Sequence, residues 1–272
     1  MSFSIVTWNI LADAYVRHHR YPNVDPRLLE PAARRARICD RIRALDADIY
    51  LLQEVESAAY DAIAAALGDG YEGTLALKPN RPEGSALFTR RAAVTVERVE
   101  TLVFARQRPN DARGTLALLA QVTVGGQWLG LASTHLDWVR RPVSDAEDTG
   151  RAQLLETVDA LAELLPAGTA TVIGGDFNAN SQSAPIDAAL SRGLRLSCRS
   201  QRPWDTTNIN GRRRKIDYLL YTPDHLHPHP GRLPALTRDE PMPSSLYPSD
   251  HLPLSVRFTW AVSDGGWDGP AV

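Results

Sequence analysis

Hydrophobic and polar positions alternate with period two from Ser4 to Ile10, and the run is β-branched, which predicts an opening strand. From Arg27 to Leu45 the spacing changes: Leu28, Ala32, Ile38, Ile42 and Leu45 recur at helical intervals, with arginines on the other face. Asp48 to Gln53 is a short, nearly continuous apolar run of the kind found in buried strands, and Ala58 to Leu67 reads as a helix closed by Gly68. Strands are expected next at Gly84–Thr89, Ala93–Phe104, Thr115–Val124 and Trp128–His135, with a Gly-Gly hairpin turn between Val122 and Gln127. A second amphipathic helix spans Thr149 to Leu165 and stops at Pro166. A buried strand at Ala170–Gly174 and a short helix at Ile186–Leu190 follow. Ile216–Tyr221 and Leu254–Trp260 read as the last strands. Pro223 to Pro248 is proline-rich and reads as a long surface loop, and the tail from Ser263 as frayed.

Strand clusters alternate with helices, no Gly/Ser linker divides the chain, and no repeat is present. The order fits one domain over residues 1–262, in which two mixed sheets pack face to face with helices outside, better than a single doubly wound sheet. With 272 residues, one or two domains and a large core are allowed. A net charge of −2 excludes a protein that coats nucleic acid by bulk charge. Of the 30 basic residues, only Lys78 and Lys215 are lysine. Codon bias accounts for arginines on helical surfaces (Arg34, Arg35, Arg37, Arg41, Arg43). Guanidinium also grips phosphate bidentately. Two cysteines, Cys39 and Cys198, are too few for a disulfide framework or a thiolate metal site. The N-terminus lacks the charge and apolar run of a signal peptide, and no stretch of about 18 apolar residues exists, so a cytoplasmic protein is expected.

The residues capable of chemistry fall at strand ends. Asn9 ends the first strand, Glu54 follows DIYLLQ, and His135 ends LASTH. Asp176 and Asn178 follow TVIGG, Asp217 begins DYLLY, and Asp250-His251 precede the closing strand. Singly, each has an ordinary reading as a solvated loop residue or a turn. As a set, they are the residue types that hard metals and phosphates require.

In order, the blocks TWNILAD (7–13), LQEV (52–55), STHL (133–136), GDFN (175–178), IDY (216–218) and SDH (249–251) resemble the endonuclease/exonuclease/phosphatase superfamily. The resemblance implies a four-layered α/β sandwich and hydrolysis of phosphoesters with one or two divalent ions, Mg²⁺ or Mn²⁺. It implies Glu54 as principal ligand with Asn9 beside it. Asp250 either completes that site or joins Asp176 and Asn178 around a second ion. Asp176 would orient or deprotonate the attacking water, and Asn178 would donate to the nucleophile or phosphate. His251, held by Asp217, and His135 would be cationic partners of the phosphate.

TWNILADAY, the Arg-rich helix, LQEVE and PSDHLPL are similar to the deadenylase-like branch of that family, which includes nocturnin, the Angel proteins and the mitochondrial 2′-phosphodiesterase. That branch implies an RNA or oligonucleotide substrate, attacked at 3′ ends or at a terminal 2′,3′-cyclic phosphate, with no membrane and no obligate protein partner. An abasic-site or deoxyribonuclease I-like DNA endonuclease, and an inositol or lipid phosphatase, are the alternatives on the same scaffold. An inactive binding protein is disfavoured by the complete polar set. The run Arg212, Arg213 and Arg214, and with it Arg113, Arg140 and Arg141, are candidates for gripping substrate, while Trp138, Trp204 and Tyr247 could stack on a base. His225, His227 and His229 read as a surface loop rather than a zinc site.

Overall fold

In the computed structural model, which describes residues 1–107, 114–139, 143–198 and 204–261, the chain runs through β1 (Ser2–Asn9), α1 (Pro26–Leu29), α2 (Pro31–Leu45), β2 (Ile49–Glu56), α3 (Ser57–Leu67), β3 (Tyr71–Leu77), β4 (Glu83–Arg90) and β5 (Val94–Val103). It continues through β6 (Leu116–Val124), β7 (Gln127–His135), α4 (Thr149–Leu164), β8 (Ala170–Asp176), α5 (Ala184–Ser191), β9 (Arg195–Leu196), β10 (Thr207–Ile209), β11 (Arg212–Arg214), β12 (Asp217–Tyr221), β13 (Leu226–Pro230) and β14 (Leu254–Trp260). Two six-stranded sheets result, ordered β13-β14-β1-β2-β4-β3 and β5-β6-β7-β8-β12-β9, with β10-β11 as a separate hairpin. Both are mixed: β1–β2 and β7–β8 are parallel, and the remaining pairs are antiparallel.

The inner strands read as continuous apolar runs because both of their faces are covered. In β2, Ile49 and Leu51 enter the core between the sheets, whereas Tyr50 and Leu52 pack with Ile38 and Ile42 of α2 and Ile63 of α3. In β6, Leu116, Leu118 and Ala120 face the same inter-sheet core, while Ala117 and Leu119 pack with Leu154 and Leu161 of α4 and Ile186 of α5. The layers are therefore helix, sheet, sheet, helix, which is the four-layered α/β sandwich expected. Cys39 and Cys198 are buried and not joined in a disulfide.

Three local expectations change. The Arg27–Leu45 helix is two helices, because Pro31 forces Glu30 out of the helical region (ψ 126). The Pro223–Pro248 segment is not wholly irregular: β13 pairs with β14 at the outer edge of its sheet, where prolines 228 and 230 sacrifice no inner-ladder donor. It places His227 and His229 exposed on one face, with His229 Nε2 3.2 Å from Thr259 Oγ1. Finally β3, an edge strand, escapes sequence reading because its half-exposed residues blur the alternation. Arg113, Arg140, Arg141 and the tail 263–272 lie outside the described residues.

Candidate active site

Strand direction gathers the polar residues. The parallel pair β1 and β2 ends with Asn9 opposite Gln53, and the parallel pair β7 and β8 ends with His135 opposite Asp176. The antiparallel neighbours begin where these end. Asp217 at the start of β12 faces Asp176, and β14 opens with Leu254 facing Thr7, just after Asp250-His251. All the candidate strand ends thus meet at one edge of the two sheets. Close strand spacing demands glycine before Asp176, since a Cβ on Gly175 would lie 1.8 Å from the Thr134 carbonyl oxygen. Glu54 sits in a bulge between Gln53 and Val55, with φ +56, which turns its side chain out of the ladder.

Asn9 Nδ2 donates to Glu54 Oε1 at 3.0 Å and to Asp176 Oδ2 at 3.2 Å, holding the two carboxylates side by side. Glu54 Oε2 accepts from the Ala12 N–H at 3.0 Å. His251 Nδ1 lies 3.0 Å from Asp217 Oδ2, and its Nε2 is 3.7 Å from Asp176 Oδ2. From the other side His135 places Nδ1 3.9 Å from Glu54 and Nε2 3.6 Å from Asp176. Asn178 donates its backbone N–H to Asp176 Oδ1 at 2.9 Å and its amide to the Leu136 carbonyl at 2.9 Å, which ties the end of β8 to that of β7. Asp250 is 5% exposed and accepts from the Tyr21 hydroxyl at 3.0 Å. Ser249 Oγ donates to the Asn9 carbonyl and accepts the His251 N–H, which ties the end of β1 to the loop before β14.

The electrostatics are lopsided. Burial pushes the Glu54 carboxyl above the usual range, Asp250 and Glu83 add to that, and the Ala12 N–H only partly offsets it. Burial also raises Asp176, with His251 opposing. On His251, burial disfavours the charge, but Asp217 and Asp176 outweigh it and hold the imidazolium well above its ordinary pKa. Burial and Asp250 raise the Tyr21 hydroxyl, keeping it a donor. Among the described residues, no lysine or arginine is ion-paired with Glu54, Asp176, Asp217 or Asp250. One edge therefore carries more buried negative charge than its histidines balance. Asp176, Asp217 and His251 bring ligand atoms within 4.8 Å of one another.

At this edge lies a cleft of about 570 Å³, lined by Glu54, His135, Asn178 and Trp138 together with Tyr15, Arg17, Arg20, Lys78, Arg81 and Glu83, while Asp176, Asp217, Asp250 and His251 lie outside its lining. Trp138 is 40% exposed there. The other substrate-binding candidates lie elsewhere. Trp204 lines a narrow apolar pocket behind Asp217 with Cys198, Leu219 and Leu233, and Tyr247 packs against the Leu236, Met242 and Leu252 cluster. Arg213 and Arg214 sit on β11 and do not line the cleft, and Arg213 Nη1 instead donates to the Leu236 carbonyl at 2.7 Å. These side chains found intramolecular partners or a separate surface.

Sequence reasoning missed the cations that line the cleft. Lys78 is buried and paired with Glu83 at 2.9 Å, and Tyr15 donates to the same Glu83 oxygen at 3.0 Å. Being one of two lysines in the chain was the only available signal. Arg34, expected on a helix surface, is 2% exposed. No helix among the described residues is long and apolar enough to cross a membrane.

The profile of the Endonuclease/Exonuclease/phosphatase family matches residues 6–251. Human nocturnin is 25% identical over 96% of this chain, which spans 66% of that protein. Human 2′,5′-phosphodiesterase 12 is 24% identical over 94% of this chain, which spans 51% of it. Among solved structures, ANGEL2, described as a 2′,3′-cyclic phosphatase in complex with adenosine-2′,3′-vanadate, superposes with a TM-score of 0.81 at 20% identity, covering 95% of each chain.

Proposed function

Because the chain belongs to the endonuclease/exonuclease/phosphatase family, and its relatives are those of the deadenylase-like branch, we propose that it is a divalent-metal-dependent hydrolase of phosphoesters at RNA 3′ ends or in short oligonucleotides. The observation that carries this reading is the buried carboxylate cluster, uncompensated by lysine or arginine among the described residues, whose Glu54 opens onto a cleft also lined by Arg17, Arg20, Lys78 and Arg81. An all-oxygen donor set fits Mg²⁺ or Mn²⁺. Glu54 would hold the ion, with Asp250 adding a carboxylate. Asn9 as placed donates to Glu54 and Asp176 while its Oδ1 accepts from the Leu11 N–H, so it would reach the ion only with its amide turned over. When bound, the ion supplies charge neutralisation on the phosphoryl oxygens and on the leaving oxygen.

The chain's own residues do the rest. Asp176, its basicity raised by burial, takes the proton of the attacking water. Asn178, a cleft residue, braces that carboxylate through its backbone N–H, and with one amide hydrogen on the Leu136 carbonyl it would keep the other for the nucleophile or phosphate. His251, kept protonated, donates Nε2–H to a phosphate oxygen, and His135 approaches from the opposite side. Asp217 holds His251 by Nδ1 and so fixes which nitrogen faces the substrate. Asp217→Asn is expected to lower kcat about 10–100-fold with KM changed much less, the range for losing a group that orients a site residue. A proportional rise in KM instead would show that Asp217 serves binding.

The deciding experiment offers purified protein, with Mg²⁺ or Mn²⁺, oligoadenylate RNA, RNA ending in 2′,3′-cyclic phosphate, abasic duplex DNA and inositol phosphates. Shortening of the RNA or loss of its terminal phosphate is expected, and which of the two occurs separates the exonuclease from the cyclic-phosphate activity. Cleavage of DNA or inositol phosphates alone would overturn the RNA assignment.

A further inference from the structure

The cations at the cleft do not end at its rim. Arg17 and Arg20 line the cleft and are exposed, with His18 and His19 exposed between them. This turn is tied to the β10–β11 hairpin, because Asn210 Nδ2 donates to the Arg20 carbonyl at 2.6 Å. The hairpin carries three consecutive exposed arginines. Strand alternation sends Arg212 and Arg214 to one face and Arg213 to the other, where it meets Leu236 and lies 3.7 Å from Asp205. Among the described residues, none of Arg17, Arg20, Arg212 and Arg214 is ion-paired. Arg27, Arg43, Arg91 and Arg192, exposed elsewhere, each pair with a carboxylate, whereas Arg232 and Arg257 are exposed and unpaired among the described residues; what sets the four apart is that the Asn210–Arg20 bond joins their two elements beside the cleft. Uncompensated guanidinium groups held on adjoining rigid elements repel one another, and a chain of phosphates relieves that repulsion while releasing counterions.

We propose that Arg17, Arg20, Arg212 and Arg214 form a track for the phosphate backbone of single-stranded RNA, leading from the cleft mouth across the β10–β11 hairpin. The end to be hydrolysed enters the cleft, and the nucleotides before it lie along the arginines. The inference rests on the phosphoesterase reading above and adds to it a preference for polymer over dinucleotide. It also gives the arginine run of β11 a use that its absence from the cleft would otherwise deny it. The hairpin is braced independently of any substrate: Thr206 donates its N–H to the Arg214 carbonyl, and Asn208 is held by the Asp250 carbonyl.

Two readouts test it. The first is the ratio of kcat/KM for an RNA of about twenty nucleotides to that for a dinucleotide, in wild type and in Arg212→Gln/Arg214→Gln. The second is anisotropy of the same fluorescent RNA without divalent ion, across a salt series. The wild type is expected to favour the longer RNA and the double variant to lose about tenfold of that preference. The slope of log affinity against log salt should fall by about 1.4, at about 0.7 per phosphate contact for single strands. Arg232→Gln/Arg257→Gln, which removes the same charge from other exposed positions, is the control. An unchanged ratio and slope in the hairpin variant, or an equal loss in the control, overturns the track. If neither RNA is hydrolysed, the phosphoesterase reading fails, and the binding series still decides whether the track exists.

Discussion

Glu54→Gln is expected to lower kcat by about 10³-fold or more while leaving the protein more stable, not less. The loss follows from the role proposed for this carboxylate. Charge neutralisation by a held divalent ion supplies several kcal/mol of transition-state stabilisation, and each ~1.4 kcal/mol is tenfold in rate. The gain follows from its surroundings. Burial, Asp250 and Glu83 all disfavour the Glu54 charge, and only the Ala12 N–H and the Asn9 amide oppose them. Glutamine keeps the shape and can still accept from Ala12; it gives up the Asn9 hydrogen bond, worth about 1 kcal/mol, but relieves the burial of charge and the repulsion. Each kcal/mol relieved should raise Tm by about 2–4 °C in a chain of this size. Added Mg²⁺ or Mn²⁺ should raise Tm of the wild type, since a ligand of the native state stabilises it, and should raise that of the variant much less. Turnover within tenfold of wild type, or an equal metal-dependent rise in Tm, would falsify the assignment of Glu54 as the residue that holds the ion.

Arg34→Met should be the most destabilising single change on α2, by about 3–5 kcal/mol, the usual cost of removing one partner from a buried charged network. Arg34 is 2% exposed. Its Nη1 donates to the Ile10 carbonyl at 2.7 Å and to that of Pro248 at 3.3 Å, and its Nη2 to the Leu11 carbonyl and to Asp13. One guanidinium thus joins the turn after β1 to the loop before β14. Methionine keeps the stem but strands three buried carbonyl oxygens. Asp13 keeps its second partner, Arg35, so its charge is not orphaned. The turn concerned includes Leu11 at φ +60, whose N–H holds Asn9, and Ala12, whose N–H holds Glu54. Activity should therefore fall with stability. Against a total of about 5–15 kcal/mol, such a loss is large, and Tm should drop by roughly 10 °C. Arg43→Met, on the exposed side of the same helix, should stay within about 0.5 kcal/mol of wild type. Equal denaturant midpoints for the two variants would refute the clamp.

The contrast between these arginines shows how far sequence reading reaches. Both sit in one Arg-rich helix, and helical periodicity assigns both to the polar face. Arg34 is drawn inward because loops from the two ends of the chain, Ile10–Asp13 and Pro248, bring carbonyls to it, and no local pattern encodes that meeting. The same holds for Tyr21 on Asp250, which are 229 residues apart, and for the Trp8 indole on the His251 carbonyl, 243 apart. Arg213 and Trp204 show the opposite case: their residue types made them candidates for substrate contact, but a two-stranded hairpin and a separate pocket that Trp204 shares with Asp217 place them outside the cleft lining.

The sequence by itself determined the central strands of the two inner layers (though not the edge strands β3, β9 and β13), the helices that cover them, and the residue types waiting at the strand ends. These are local consequences of side-chain period and of chain reversals, and they need no knowledge of distant partners. Only the tertiary structure decided which edge those ends share, which carboxylates gather there with histidines as their only cationic neighbours among the described residues, and which lysine and arginines line the adjoining cleft. Those are sums of charge, burial and hydrogen bonding over residues hundreds of positions apart, and they come into being only when the sheets pack.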